Sequence, residues 1–302
     1  MKTTLFTGAV LALGLTGCTT VASGGTTGMS VTSRTPGALQ ASANSIALDS
    51  ALNAQSDEAK TRYDARNPRE TLDVFGITPG MTVAEALPGG GWYSKILLRY
   101  LGPEGELVGA HYPNDMWPRF GFGDAFVERQ TARANTWTAT ATEWVPEGGA
   151  AISDYRLTAL PEARAGTFDA VLFIRALHNL NRFNADAGYM DATLAETYKA
   201  LKPGGIVGVV QHRAPENNSD AWSDGANGYL KQSTVVAAFE AAGFELVTVS
   251  EVNANPKDVP GEDDFVWRLA PSLSGTEEGT PERAAMAAIG ESDRMTLVFK
   301  KP

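Results

Sequence analysis

The chain is nearly without cysteine: Cys18 is the only one in 302 residues. No disulfide can form within one molecule, so a disulfide scaffold is excluded. Basic charge is also short, with 25 lysines and arginines against 35 aspartates and glutamates and a net charge of −10. Gripping nucleic acid by its phosphates needs a basic face, so no nucleic-acid partner is expected. Histidine is scarce, with three residues: His111, His178 and His212. No internal repeat is visible, which sets aside solenoid and propeller arrays. What remains is a globular composition, 43% hydrophobic and 20% charged. The length suits one large α/β domain with a full core.

The first 18 residues do not read as part of that domain. Lys2 supplies a short positive start, and Leu5 to Leu15 form an apolar run too short to span a bilayer. The run ends in Leu15-Thr16-Gly17-Cys18, which resembles the lipobox of bacterial lipoproteins. The resemblance implies cleavage before Cys18 and a lipid anchor on its sulfur. It also implies a periplasm-facing place in the cell envelope, and Thr19 in place of an aspartate favours the outer membrane over the inner. The alternative is an ordinary signal peptide with an incidental cysteine. Residues 19–44, rich in Ser, Thr, Gly and Ala, read as a flexible tether. The domain is then expected over residues 45–302.

Helical periodicity starts near Ile46, and Asn67-Pro68 opens a short helix. Strands are expected at Met81–Leu87, Glu106–His111, Phe168–Arg175, Ile206–Val210, Phe244–Val249 and Met295–Phe299, with a weak one at Ala150–Ser153. Helices alternate with most of them, and Asn253 to Gly290 is a Pro/Gly/acid-rich excursion. The alternation predicts an α/β fold: a doubly wound, mainly parallel, seven-stranded Rossmann-like sheet with helices on both faces. Ligands of such sheets bind beyond the carboxyl ends of the strands.

The first strand ends in Glu85, and Pro88-Gly89-Gly90-Gly91-Trp92 follows before a helix with apolar residues at 96, 97, 100 and 101. Glycines let a backbone come close to a ligand, and a helix start offers free N–H groups. Strand, acid, glycine turn and helix together form the opening unit of a nucleotide-type binding fold. Glu85 either organises a cofactor or caps the turn. Trp92 and Tyr93 either wall the site or pack as core.

Beyond this unit, the chain resembles class I S-adenosylmethionine-dependent methyltransferases, and more narrowly a secreted group of them, over about residues 55–302. Val83-Ala84-Glu85 with Gly89-Gly90-Gly91 is similar to the first family motif. Asp154, Leu160-Pro161, Phe168-Asp169-Ala170-Val171 and Leu177-His178-Asn179-Leu180 are similar to the region from the adenine-side acid to the fourth strand. Leu201-Lys202-Pro203-Gly204-Gly205 resembles the turn before strand five, and Ala241-Ala242-Gly243-Phe244 the entry to strand six. The resemblance implies S-adenosyl-L-methionine as cofactor, held by Glu85, Pro88, Gly89, Gly90, Gly91, Trp92, His111, Asp154 and Arg175. It also implies that the segment Tyr63, Asp64 and Arg66 covers the cofactor. Two positions depart from the pattern. Leu87 stands where the first glycine belongs, implying a differently shaped turn. His111 stands where an acid holds the ribose, with Asp115 as a compensating candidate.

Methyl transfer needs an acceptor held in line with the methyl, water kept out, and a base when the nucleophile is a hydroxyl. His178 and His212 follow strands that should be neighbours, so they are the candidate catalytic residues; the alternative for each is a capping or loop hydrogen bond. Asn179, Arg213 and Tyr63 are the candidate substrate contacts. Trp117, Phe120, Phe122 and Trp222 either form a lid or pin their loops. No metal is expected, because strand one should separate His111 from the other two histidines. The expected function is therefore methyl transfer to a small-molecule or envelope acceptor. The alternatives are a non-catalytic small-molecule-binding protein on the same fold and a nicotinamide-dependent oxidoreductase. Oligomeric state is not legible in the sequence.

Overall fold

The computed structural model describes residues 36–302. The leader 1–18, Cys18 itself and the tether up to residue 35 lie outside the described residues. The rest of the expected tether, residues 36–44, is helical instead: one helix spans Pro36–Asn53. Small residues that suit a tether also include alanine, the best helix former, and packing supplies what propensity lacks. Leu48, Ala51 and Leu52 of this helix are buried in the same core as Ile96, Leu97 and Leu98.

The strands are β1 (Thr82–Ala86), β2 (Glu106–His111), β3 (Ala151–Arg156), β4 (Phe168–Ile174), β5 (Leu201–Ala214), β6 (Leu230–Lys231), β7 (Glu245–Ser250) and β8 (Arg294–Lys300). Their order is β3-β2-β1-β4-β5-β8-β7, and β6 pairs with the end of β5. The expected seven-stranded sheet is thus corrected to eight strands. β8 runs antiparallel to both β5 and β7, while the pairs among β1 to β5 are parallel. The apolar run at Met295–Phe299 carries no mark of direction, so only the path of the chain could decide it.

Alternation along the strands divides the apolar residues between two faces. Ala84, Val108, Val171, Phe173 and Val209 face one core, which the helices Tyr189–Ala200 and Gln232–Ala241 cover through Leu194, Val235 and Phe239. Val83, Leu107, Ala170 and Leu172 face the other, covered by the helices Pro36–Asn53 and Trp92–Tyr100. The result is three layers with a parallel centre buried on both faces.

The chain leaves β1 toward β2 and β3 on one side, and returns to β4 and β5 on the other. The switch point therefore lies between β1 and β4. Register aligns the strand ends: Ala86 pairs with Ala110 and with Phe173. This brings the turn after Ala86, His111 and Arg175 to one edge of the sheet. Two expectations shift here. β3 contains Asp154, paired with Gly109, so this acid lies inside an edge strand and not beyond its end. β5 runs on past Val210 and takes in His212, which pairs with Arg294.

Candidate functional site

The glycine turn is built on left-handed backbone. Leu87, Gly89 and Gly91 have φ of 53°, 56° and 79°. Gly91 N–H donates to the Pro88 carbonyl at 2.9 Å, closing the turn, and Leu87 N–H donates to Ala110 O at 2.7 Å. Leu87 thus takes the conformation that glycine adopts at no steric cost. A leucine there is strained by roughly 1–2 kcal/mol.

The three glycines do different things. Gly89 and Gly90 are exposed. A methyl group added at Gly90 would meet nothing within 4 Å, and at Gly89 only Leu87 O at 3.8 Å. Gly91 is buried: a Cβ there would come within 2.8 Å of Trp144 Cε3 and nearer still to Cζ3. Gly89 and Gly90 therefore leave bare backbone on a cleft, while Gly91 seats an indole. Pro88 is buried behind the turn.

Glu85 also lies behind the turn. It is 5% exposed, and its Oε2 accepts from Ser94 Oγ at 2.6 Å. Burial pushes its carboxyl up to about 8, against the weaker opposing pull of Ser94 and of Arg175. Glu85 thus ties β1 to the helix Trp92–Tyr100, and it does not line the cavity described next.

A cavity of about 570 Å³ opens beside the turn, bounded by Gly89, Gly90, His111, Asn179, Trp137 and Trp144. His111 is 5% exposed and its Nε2 is buried with no hydrogen-bond partner. Burial and then Arg156 lower its pKa to about 4, Asp154 opposing, so the ring is neutral at pH 7. A buried polar atom left unpaired is costly and rare, and a ligand hydroxyl or amine would satisfy it in either tautomer. Asp154 does not line this cavity. It accepts from Thr138 Oγ1 at 2.9 Å and sits 3.8 Å from His111 Nε2. Asn179, expected on the acceptor side, lines the cavity instead. Trp117, Phe120 and Phe122 form its far wall, with Phe120 stacked between the other two at 5.6 and 6.3 Å. Trp222 is elsewhere, stacked on Tyr229 at 5.3 Å.

A second cavity, about 420 Å³, shares Gly90 and Trp144 with the first. Trp144 is thus the partition between them. Arg62, Trp92, Lys95 and Arg99 line the second cavity, so Trp92 belongs to this side. Trp92 Nε1 donates to Ala59 O at 3.2 Å. Tyr63 stands edge-on to Trp92 at 5.9 Å and donates to Leu52 O at 2.8 Å. It braces Trp92 and does not line either cavity.

His178 and His212 do meet, with ring centroids 5.8 Å apart. Neither lines the two cavities. His178 is 7% exposed, lies 6.0 Å from Trp267, and has an unpaired Nδ1. Burial lowers it to about 4, with Gln211 opposing. His212, partly exposed, pairs its Nδ1 with Ser292 Oγ at 2.5 Å. Burial, then His178 and Arg175, hold it well below the ordinary histidine range. Arg213, the candidate substrate contact, binds Glu251 at 2.7 Å and Asp293 at 2.8 Å, which raise its pKa; it lines a third cavity of about 410 Å³, apart from the glycine turn.

One feature of the site has no signal in the sequence pattern. Arg62, Arg66 and Arg294 all contact Glu291, and Arg175 stands beside them with φ of 60°. Arg66 belongs to the segment expected over the cofactor. Its partner Glu291 is 225 residues away, beyond any local periodicity. Among the described residues, no three His, Cys, Asp or Glu side chains group as a metal site. No helix there is long and apolar enough to cross a membrane.

No family model matches the chain, and no curated protein matches it. Solved structures are similar to it. The [4+2]-cyclase SpnF is similar with a TM-score of 0.50 and 17% identity, over 79% of this chain and 81% of that one. A geranyl diphosphate C-methyltransferase from Streptomyces coelicolor A3(2), solved with Mg²⁺, geranyl diphosphate and S-adenosyl-L-homocysteine, gives 0.49 and 12%, over 80% and 82%. A SAM-dependent methyltransferase from Aquifex aeolicus gives 0.46 and 16%, over 68% and 93%. At 17% identity the likeness to the cyclase is one of fold alone.

Proposed function

We propose that this chain is an S-adenosylmethionine-dependent methyltransferase acting on a small-molecule acceptor. One observation carries the reading. At the switch point of the sheet, the bare backbone of Gly89 and Gly90 faces a cavity that also holds the buried, unpaired Nε2 of His111. A cofactor with hydroxyls and an aromatic base suits that combination of free backbone, polar orphan and tryptophan walls.

The residues that would hold the cofactor are Gly89 and Gly90 through their backbone, His111 and Asn179 through polar side chains, and Trp137 and Trp144 as apolar walls. When bound, S-adenosylmethionine supplies an activated methyl group. The protein's part is orientation and exclusion of water, which the Trp117, Phe120 and Phe122 wall supports. Removal of the acceptor's proton is assigned to His212, a neutral and partly exposed imidazole whose ring lies 5.8 Å from that of His178.

Calorimetric titration of the full chain with S-adenosylmethionine and S-adenosylhomocysteine tests the reading. Both are expected to bind, and His111→Ala should weaken each about tenfold, the loss of one buried hydrogen bond. If neither binds the wild type, the reading is wrong. Quenching by reduced nicotinamide cofactor at the same site would replace it with the oxidoreductase alternative. A non-catalytic binding protein is the second reading, favoured by the absence of both His178 and His212 from the lining of the two cavities. Cofactor binding with no release of S-adenosylhomocysteine against a broad acceptor panel would select it.

We further infer that the domain is exported and lipid-anchored at Cys18, facing the periplasm from the outer membrane. The support is the sequence Leu15-Thr16-Gly17-Cys18 after its apolar run.

A further inference from the structure

Three guanidinium groups converge on one carboxylate, Glu291, and a fourth, that of Arg175, stands beside them. Glu291 accepts from Arg62 Nε at 2.9 Å, from Arg66 Nε at 3.2 Å and from Arg294 Nη1 at 3.1 Å. Arg66 and Arg294 are 5% and 3% exposed. Three arginines thereby consume both oxygens of Glu291. The fourth, Arg175, is left over: its guanidinium makes no hydrogen bond or ion pair with any described residue, although Arg294, Glu291, Tyr93 and Arg62 all act on it. The other nearby carboxyl, Glu85, is pushed up to about 8 and is mostly uncharged at pH 7. Four positive charges and one negative are thus gathered in a protein whose net charge is −10.

Arg66 and Arg294 are buried and Arg175 is partly exposed beside them. Gathering like charges is costly unless an opposite charge arrives, and the exposed part of Arg175 leaves a way in for one. The surplus guanidinium has the planar fork that matches a carboxylate or a phosphate. Arg175 also sits on left-handed backbone, φ 60°, and bears a side chain that makes this costly. Non-glycine residues held this way gather at ligand sites. Arg175 does not line the Gly89–His111 cavity. Its backbone N–H donates to Val210 O at 2.6 Å, two residues before His212 on the neighbouring strand, and His212 pairs with Arg294. Its charge there helps to lower both His178 and His212.

We propose that Arg175, supported by Arg66 and Arg294, binds an oxyanion on the methyl acceptor, so that the acceptor is an organic acid or a phosphate-bearing molecule. This inference rests on the methyltransferase reading above for the word acceptor. The anion site itself rests on the arginine geometry alone. The other source of the same chemistry is the cofactor's own carboxylate, and the experiment separates the two.

Benzoate and inorganic phosphate are titrated into the full chain, with and without saturating S-adenosylhomocysteine, for wild type, Arg175→Gln and Arg175→Lys. At least one anion is expected to bind the wild type in both conditions. Arg175→Gln should weaken it at least tenfold, Arg175→Lys less, and S-adenosylhomocysteine affinity should stay within threefold in both variants. Arg175→Gln should melt no lower than wild type, because it removes like-charge repulsion, whereas a structural arginine would lower the melting point. The proposal is overturned if neither anion binds the wild type, or if Arg175→Gln binds the anions unchanged. It is equally overturned if the variant loses S-adenosylhomocysteine tenfold, which would give the arginines to the cofactor. Failure of S-adenosylhomocysteine to bind the wild type would refute the methyltransferase reading instead. The anion titration without it would still decide whether the arginine site exists.

Discussion

Gly90→Ala and Gly91→Ala differ by one position and should behave in opposite ways. At Gly91 an alanine meets two penalties. Its φ of 79° places a side chain in the left-handed region, at roughly 1–2 kcal/mol. Its Cβ would fall within 2.8 Å of Trp144 Cε3, an overpacking worth about 1–3 kcal/mol. Reduced freedom of the unfolded chain offsets about 0.4–1 kcal/mol of this. The net loss is about 1–4 kcal/mol, a fall in Tm of roughly 2–8 °C for a domain of this size. At Gly90 the backbone has no positive φ and the space is open, so only the unfolded-state gain remains. Gly90→Ala should hold or slightly raise Tm. Its methyl, however, would enter the space between the two cavities and weaken S-adenosylhomocysteine at least tenfold. Leu87→Gly, which relieves φ 53°, should cost little, since strain relief and chain entropy nearly cancel. Thermal unfolding followed by circular dichroism reads all three. The double variant Gly91→Ala with Trp144→Ala should show a coupling above about 1 kcal/mol, because the clash needs both groups. Equal melting points for Gly90→Ala and Gly91→Ala, or no coupling to Trp144, would refute the assignment of Gly91 as the seat of the indole.

Two further outcomes are expected. His111 and His178 each have a folded pKa of about 4 against an ordinary 6.5. The unfolded chain therefore takes up their protons first, and their contribution is complete above pH 6.5 and lost as pH falls toward 4, by about 3 kcal/mol each. Glu85 acts in the other sense: raised from 4.5 to about 8, it is fully tolerated below pH 4.5 and costs increasingly as pH climbs to 8, about 2 kcal/mol of it above pH 6.5. Stability should peak near pH 6.5, and Glu85→Gln should flatten the alkaline side; a urea series across pH 4–9 with no such change would count against the burial of Glu85. For the anchor, palmitate labelling of expressing bacterial cells should mark the wild type and not Cys18→Ala, and equal labelling would exclude Cys18 as the acylated residue.

Parts of the site were legible because they are local. The strand at Thr82–Ala86, the turn at Pro88–Gly91 and the helix behind it occupy one continuous stretch, and its apolar spacing and glycines report directly on backbone shape. His111 at the end of β2 followed from counting along one strand. Asp154, by contrast, sits in an edge strand with an exposed first residue and partly buried neighbours, so its alternation is weak and its end was misplaced. Arg213 and Tyr63 carried polar groups in suggestive places, but their partners, Glu251, Asp293 and the Leu52 carbonyl, come from distant segments. Polar residues look alike in sequence whether they meet a ligand or one another.

The sequence by itself determined the alternating elements, the three-layer core and the place of the cleft, since each follows from side-chain period, turn chemistry and the rule that ligands meet the carboxyl ends of parallel strands. Tertiary structure alone decided what the three glycines are for. Two of them stay bare because nothing packs on them, and the third is filled by Trp144 from a turn more than fifty residues on. It alone decided that β8 runs antiparallel, and so that Arg294 arrives beside Arg66 and Arg175. Charge accumulates where separate segments converge, and convergence is a property of the folded path, not of any window along the chain.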